Sequence, residues 1–239
     1  MPFFSHYQEL VEALSRETKL LLFDNRGAGR SDKPDCEYTM AMLADDAAGL
    51  LNYLDIEHTN ILGASMGGMI AQEFALRHPA KTDAAILCCT SPGSHRMIPP
   101  SAEVLETLST VDGLSDEEIT RKNWPLSFTK TFMENNRNWL EEKMRREIAY
   151  SAPAFSFKRQ MAAAMMHNSY SRLPEIACPV LVLTGAEDIL IPPENSDLLA
   201  SQIPNSVLKR YAGVGHGFMT EERDAVVKDV LEFVSGHCL

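Results

Sequence analysis

The stretch Gly63-Ala64-Ser65-Met66-Gly67-Gly68 decides the fold of this chain, because it sets a serine among glycines at a strand-to-helix junction. The apolar Ile61-Leu62 before it ends a short strand. Met69-Ile70-Ala71-Gln72-Glu73-Phe74-Ala75-Leu76-Arg77 after it reads as a helix that stops at Pro79. A sharp turn at this point holds the serine in a strained backbone conformation and lifts its hydroxyl clear of the sheet. Glycine on both sides is expected to leave room for that turn and for close helix-strand packing. The spacing alone arises readily by chance, so its weight rests on what surrounds it.

Outward from the elbow, short apolar runs alternate with amphipathic ones, the pattern of a parallel sheet covered by helices. Strands are predicted at 19–23, 59–62, 84–89, 179–183 and 207–211. Helices are predicted at 7–16, 40–54, 194–202 and 223–234, besides the one after Ser65. Between Thr90 and Leu173 the strand runs give way to helical periods that hold Met133, Met144, Met161, Met165, Met166 and both tryptophans, Trp124 and Trp139. The expected organisation is a core of residues 1–90 and 174–239 with a helical lid, residues 91–173, inserted between two strands. The lid methionines read first as lid core and second as the lining of an adaptable apolar pocket.

The bulk properties fit one large α/β domain: 239 residues, 45% hydrophobic and 23% charged. A net charge of −11 disfavours nucleic acid and anionic membrane surfaces as partners. Cys36, Cys88, Cys89, Cys178 and Cys238 form no Cys-x-x-Cys pair and read as reduced thiols, so neither a metal site nor a cofactor is expected. With no basic-plus-apolar leader and no apolar run of membrane-spanning length, the expected location is the cytoplasm.

A serine hydroxyl needs a base within hydrogen-bond reach, and that base needs a carboxylate to fix its tautomer. Thr184-Gly185-Ala186-Glu187-Asp188 follows one predicted strand and Gly213-Val214-Gly215-His216-Gly217-Phe218 follows the next. Both therefore arrive at the C-terminal edge of the sheet, where the active groups of open parallel sheets gather. Either segment alone reads as an ordinary turn; together they give the order nucleophile, acid, base. His6, His58, His78 and His237 read as structural or terminal. His95 and His167 belong to the lid and could face a pocket.

These pieces, with Phe23-Asp24-Asn25-Arg26-Gly27-Ala28-Gly29-Arg30-Ser31-Asp32, resemble the α/β-hydrolase family from about residue 7 to the end of the chain. The resemblance implies Ser65 as nucleophile, Asp188 as orienting acid in preference to Glu187, His216 as general base, and the backbone amide of Met66 as an oxyanion donor. It implies a structural turn for Asp24 and Arg26. A serine nucleophile points away from the aspartate-dependent dehalogenases and epoxide hydrolases of this fold. It leaves esterases, lactonases, thioesterases, perhydrolases and carbon-carbon bond hydrolases, with the 3-oxoadipate enol-lactonase and arylesterase branch looking most similar. The expected substrate is a small ester or lactone.

The same resemblance implies three strands before residue 7, the third lying between 19–23 and 59–62 and ending in a His-Gly segment that supplies the second oxyanion amide. The chain begins Met1-Pro2-Phe3-Phe4-Ser5, downstream of that position. It therefore reads as a shortened hydrolase. Phe3 and Phe4 are candidate substitute donors, and the alternative function is a catalytically weak binding protein on the same fold. Without the third strand, 19–23 and 59–62 must pair directly or leave backbone groups exposed.

Overall fold

The structure is a computed structural model that describes residues 7–93 and 96–236. His6, His95, His237, Cys238, Phe3 and Phe4 lie outside the described residues. Helix α1 (Gln8–Leu14) buries Leu10, Val11 and Leu14, and α2 (Met40–Tyr53) follows a loop. The α2 start is set by Thr39, whose hydroxyl accepts the Met42 N–H, and its inner face is Leu43, Ala44, Ala47, Ala48 and Leu51. Strand β1 (Thr59–Ala64) runs into α3 (Met66–Arg77), and β2 (Thr82–Cys88) comes next. After the insertion come β3 (Val180–Gly185), α9 (Glu194–Gln202), β4 (Ser206–Tyr211), the short α10 (Phe218–Glu221) and α11 (Arg223–Ser235).

The four strands form one parallel sheet in the order β1-β2-β3-β4. Every residue of β3 is buried and β2 is nearly so, as expected for strands covered on both faces. On one face Leu10, Leu14, Val226, Val230 and Phe218 pack against Ile86, Leu181 and Leu183. The opposite face is filled by Ala71, Leu87, Val182 and Leu199, and by the contact of α2 with α3 through Leu43, Ala47, Ile70 and Phe74.

Between β2 and β3 the described residues form α4 (Ala102–Ser109), α5 (Asp116–Ser127), α6 (Lys130–Asn135), α7 (Arg137–Ala149) and α8 (Ala154–Met165), then a 3-10 turn at Tyr170–Glu175. The root of this insertion is a buried polar knot. Gln72 donates to the Ser91 carbonyl, Ser169 donates to the Gln72 side-chain oxygen, and the Ser169 N–H donates to the Pro92 carbonyl.

The predicted strand at 19–23 does not form. Residues 19–23 make no backbone hydrogen bond among the described residues, and Leu21, Leu22 and Phe23 are 42%, 40% and 38% exposed. The physical reason is pairing: a strand needs a hydrogen-bonded neighbour, and among the described residues 19–23 have none, an open slot separating them from β1. Of the two outcomes left open above, exposed backbone is the one observed. The other predicted elements are present, with ends moved by no more than about three residues, the largest shift being the start of α3 at Met66 rather than Met69.

Candidate active site

Ser65 sits at φ 53°, ψ −121°, one of three non-glycine residues with positive φ among the described residues. Backbone contacts hold the turn closed. The Ser65 N–H donates to the Cys88 carbonyl at 2.9 Å, and the Ser65 carbonyl accepts the Gly68 N–H at 2.9 Å and the Thr90 hydroxyl at 2.7 Å. The glycine expectation holds only in part. A Cβ on Gly63 would lie 2.0 Å from the Gly67 carbonyl oxygen, and one on Gly68 would lie 2.5 Å from Thr90. One on Gly67 would meet nothing within 4 Å. The crossing of β1 with the α3 backbone therefore demands glycine at 63, and the Thr90 side chain leaves no room for a Cβ at 68, whereas 67 carries no such demand.

Asp188 and His216 arrive from the ends of β3 and β4, as predicted. The Asp188 carboxylate is fully buried and divides its two oxygens between tasks. Oδ1 accepts the N–H groups of Leu190 and Ile191, both at 2.9 Å, and Oδ2 lies 2.7 Å from His216 Nδ1. A carboxylate oxygen in this setting accepts, so Nδ1 carries the proton and Nε2 keeps a free lone pair. Glu187 is exposed and makes no such contact. No hydrogen bond joins Ser65 to His216 among the described residues. The Met66 N–H, at the first position of α3, has no hydrogen-bond partner among the described residues.

Cys89 follows β2 just as Ser65, Asp188 and His216 follow their strands, and it too has positive φ, 40°. Its Sγ, an Asp188 oxygen and a His216 nitrogen all lie within 4.8 Å of one another. Burial, and after it the negative Asp188, push the Cys89 thiol well above its ordinary pKa, so it stays protonated and non-nucleophilic. As a metal site this trio is poor, since Asp188 and His216 are already bonded to each other. Sequence reasoning read Cys89 only as a buried thiol; its position one residue past a strand end was the available signal.

The insertion leans on the loops that carry these groups. The Gly217 N–H, next to His216, donates to the Ser127 carbonyl at 2.7 Å, and Thr129 is held by Glu221 through both N–H and hydroxyl. A side chain at Gly217 would strike the Phe128 ring at 2.7 Å. On the other flank Ser156 donates to the Gly27 carbonyl and Gln160 to the Arg26 carbonyl. Arg26 itself is spent on a bidentate pair with Asp46, and Asp24 caps its own loop by accepting the Arg30 N–H, which fits their expected structural part. His167 is buried at the root of the insertion, 3.7 Å from Glu73, which pairs with Arg172. Burial lowers its pKa to about 4, so it is a neutral structural histidine.

The chain covers 94% of itself and 77% of a poly(3-hydroxyalkanoate) depolymerase from Ectopseudomonas oleovorans at 29% identity. Its structure superposes on the enol-lactonase from Burkholderia xenovorans LB400 with a TM-score of 0.85 at 25% identity, covering 98% of this chain and 87% of that one. A thermophilic esterase from Thermogutta terrifontis gives 0.81 at 29% identity, covering 98% and 86%. Residues 4–223 match the sequence profile described as serine aminopeptidase, S33. An elbow serine, a buried acid-base pair at the same sheet edge and a match over most of the sequence lead to one conclusion: the chain belongs to this hydrolase family of the α/β-hydrolase fold.

Proposed function

We propose that the protein is a serine hydrolase that cleaves a small carboxylic ester or lactone through Ser65, His216 and Asp188. The observation that carries this reading is the 2.7 Å contact between His216 Nδ1 and a fully buried Asp188, at the sheet edge where Ser65 stands in a strained turn. Of the relatives named above, one is described as a lactonase, one as an esterase and one as a poly(3-hydroxyalkanoate) depolymerase. Other relatives, such as one from Serratia proteamaculans at 26% identity, are assigned provisionally to carbamate hydrolysis, which breaks the same kind of acyl bond.

The chemistry runs as follows. His216 Nε2 accepts the Ser65 hydroxyl proton as the oxygen attacks the substrate carbonyl. Asp188, its other oxygen anchored by two amides, holds the ring in the required tautomer and stabilises the imidazolium. The unpaired Met66 N–H donates to the oxyanion that forms. Imidazolium returns the proton to the departing alcohol, and water then resolves the acyl-enzyme by the same two proton transfers in reverse order.

A second reading, a binding protein with slight turnover, is favoured by a specific observation: Met66 is the one oxyanion donor identified among the described residues, and loss of one donor costs about a hundred- to a thousandfold in rate. One experiment decides. Hydrolysis of a short activated aryl ester is compared between the protein and Ser65→Ala. The hydrolase reading expects a rate well above background that the substitution removes; equal slow rates favour the binding protein.

A further inference from the structure

Helix α8 of the insertion is turned inside out. The side chains it buries are Ser156, Gln160 and Ala163, and two of these three are polar. Ser156 donates to the Gly27 carbonyl at 2.7 Å and Gln160 to the Arg26 carbonyl at 2.8 Å, which fixes the rotation of the helix about its axis. At 3.6 residues per turn, Phe157, Met161 and Met165 then fall on the outer face, one above the other. Phe155 and Ala162 widen that face, and Met166 extends it past the helix end. Lys158 is the one charged residue among the exposed residues of α8; Arg159 is partly covered and pairs with Asp35. The sequence places Met161, Met165 and Met166 in the lid core or a pocket lining, whereas in the structure they stand outside.

A helix with an apolar outer face calls for a cover on that side. Size, charge and symmetry together specify the cover. Tyr150, Phe155, Phe157, Met161, Met165 and Met166 are 42–82% exposed. They leave on the order of 700 Å² in the open, above the largest patch of an ordinary monomer and near what each partner gives to a standard interface. So apolar a face is the composition of a homodimer interface. Each copy carries a net charge of −11, yet from Ala149 to Pro174 the chain has no Asp or Glu. Two copies that meet here bring no carboxylates of this segment together. The face is also self-complementary. In an antiparallel pairing about a twofold axis at Met161, Phe157 of each copy lies against Met165 of the other, sulfur to ring. A lipid surface fits less well, because a helix that lies on lipid turns a cationic polar face to water, and the polar face of α8 is locked into the core.

We propose that the outer face of α8 is a self-association surface, through which two copies of this chain pair α8 against α8, antiparallel, about a twofold axis at Met161. The surface stands on a firm base, since Ala163 packs into the cluster that joins α2 to α3.

The face takes no part in the hydrolytic chemistry proposed above, so the test reads mass and not turnover. Sedimentation equilibrium of the 239-residue chain over about 1–100 μM is expected to show a monomer–dimer equilibrium that approaches twice 26.6 kDa. Met161→Glu sets two carboxylates against each other at the axis and is expected to raise the dimer Kd about a hundredfold or more. Its far-UV circular dichroism stays unchanged, because the site is exposed. Leu105→Glu, on the exposed side of α4, leaves the Kd as it was. Met161→Cys is expected to give a disulfide-linked dimer on mild oxidation, and Leu105→Cys none beyond the parent chain. A mass of 26.6 kDa at every concentration overturns the proposal, and so does a dimer whose Kd Met161→Glu leaves unchanged. A monomer that binds neutral phosphatidylcholine vesicles, and loses that binding in Met161→Glu, also overturns it and assigns the face to lipid.

Discussion

The two edges of the sheet are built differently. At the β4 edge the strand carries Lys209 and Arg210, engaged with Asp229 and Asp197, and charged side chains of this kind are a common way to end a sheet. At the β1 edge an apolar slot is followed by residues 20–23, which pair with no strand among the described residues, and Leu21, Leu22 and Phe23 are about two-fifths exposed. The first edge is finished and the second is interrupted. The difference matters for chemistry because the site straddles it. Asp188 and His216 hang from β3 and β4, on the finished side, whereas Ser65 stands at the end of β1, on the interrupted side. The Asp188–His216 pair is therefore fully assembled, while Gly63, Ala64 and Gly67, on either side of Ser65, line the open slot.

Four perturbations probe this contrast, and the largest effect belongs to the finished side. Asp188→Asn keeps the shape but offers an N–H toward His216 Nδ1, which favours the wrong tautomer. The predicted loss is about 10⁴-fold in kcat, as for the same change in the well-studied serine protease triad. A loss under tenfold would mean that Asp188 does not orient the base. Next come paired truncations of leucines that look alike in sequence. Leu181→Ala, in the fully buried β3, is predicted to cost about 2–5 kcal/mol in chemical denaturation. Leu22→Ala, beside the slot, stays within about 0.5 kcal/mol. Equal costs would break the comparison of edges.

A pH titration of stability reads a group outside both edges. His167 faces Glu73 and Arg172, and burial lowers its pKa from the usual 6.5 to about 4. The folded state thus binds this proton less readily than the unfolded chain does. Stability is unaffected above pH 6.5 and falls between pH 6.5 and 4, by about 3 kcal/mol at the limit. His167→Gln should flatten that part of the curve in urea denaturation. The smallest expected effect contrasts two glycines of the elbow. Gly67→Ala faces the slot and should stabilise the 239-residue chain by about 0.5–1 kcal/mol through helix propensity. Gly63→Ala drives a methyl group into the α3 backbone and should shift Tm in the opposite direction, downward.

Much of this was legible in the sequence, for physical reasons that also explain the failures. The strands β2 and β3 are short apolar runs bounded by turns, and burial on both faces is what such runs require. Asp188 and His216 could be placed because each follows a strand, and every parallel strand delivers its next residues to one edge. Residues 19–23 have the same apolar texture as β3, yet strand formation is a property of a pair, and among the described residues 19–23 pair with no strand. The elbow glycines misled in a similar way: Gly63, Gly67 and Gly68 are alike on paper, and only the contacts of Gly63 with the α3 backbone and of Gly68 with Thr90 show which carry a steric demand. The position of Cys89 beneath the acid-base pair follows from sheet register, which one sequence does not specify. Likewise, the contacts from Ser127, Ser156 and Gln160 to the core join residues more than 85 positions apart.

The central claim is that His216, held by Asp188, activates Ser65. The most direct measurement is covalent labelling with a fluorophosphonate, which reports a nucleophilic serine without requiring a known substrate, followed by peptide mass mapping. The account predicts one adduct per chain, on Ser65, formed far more slowly in His216→Ala and absent in Ser65→Ala. An adduct on another residue, or labelling of Ser65 that proceeds at the same rate without His216, would contradict it.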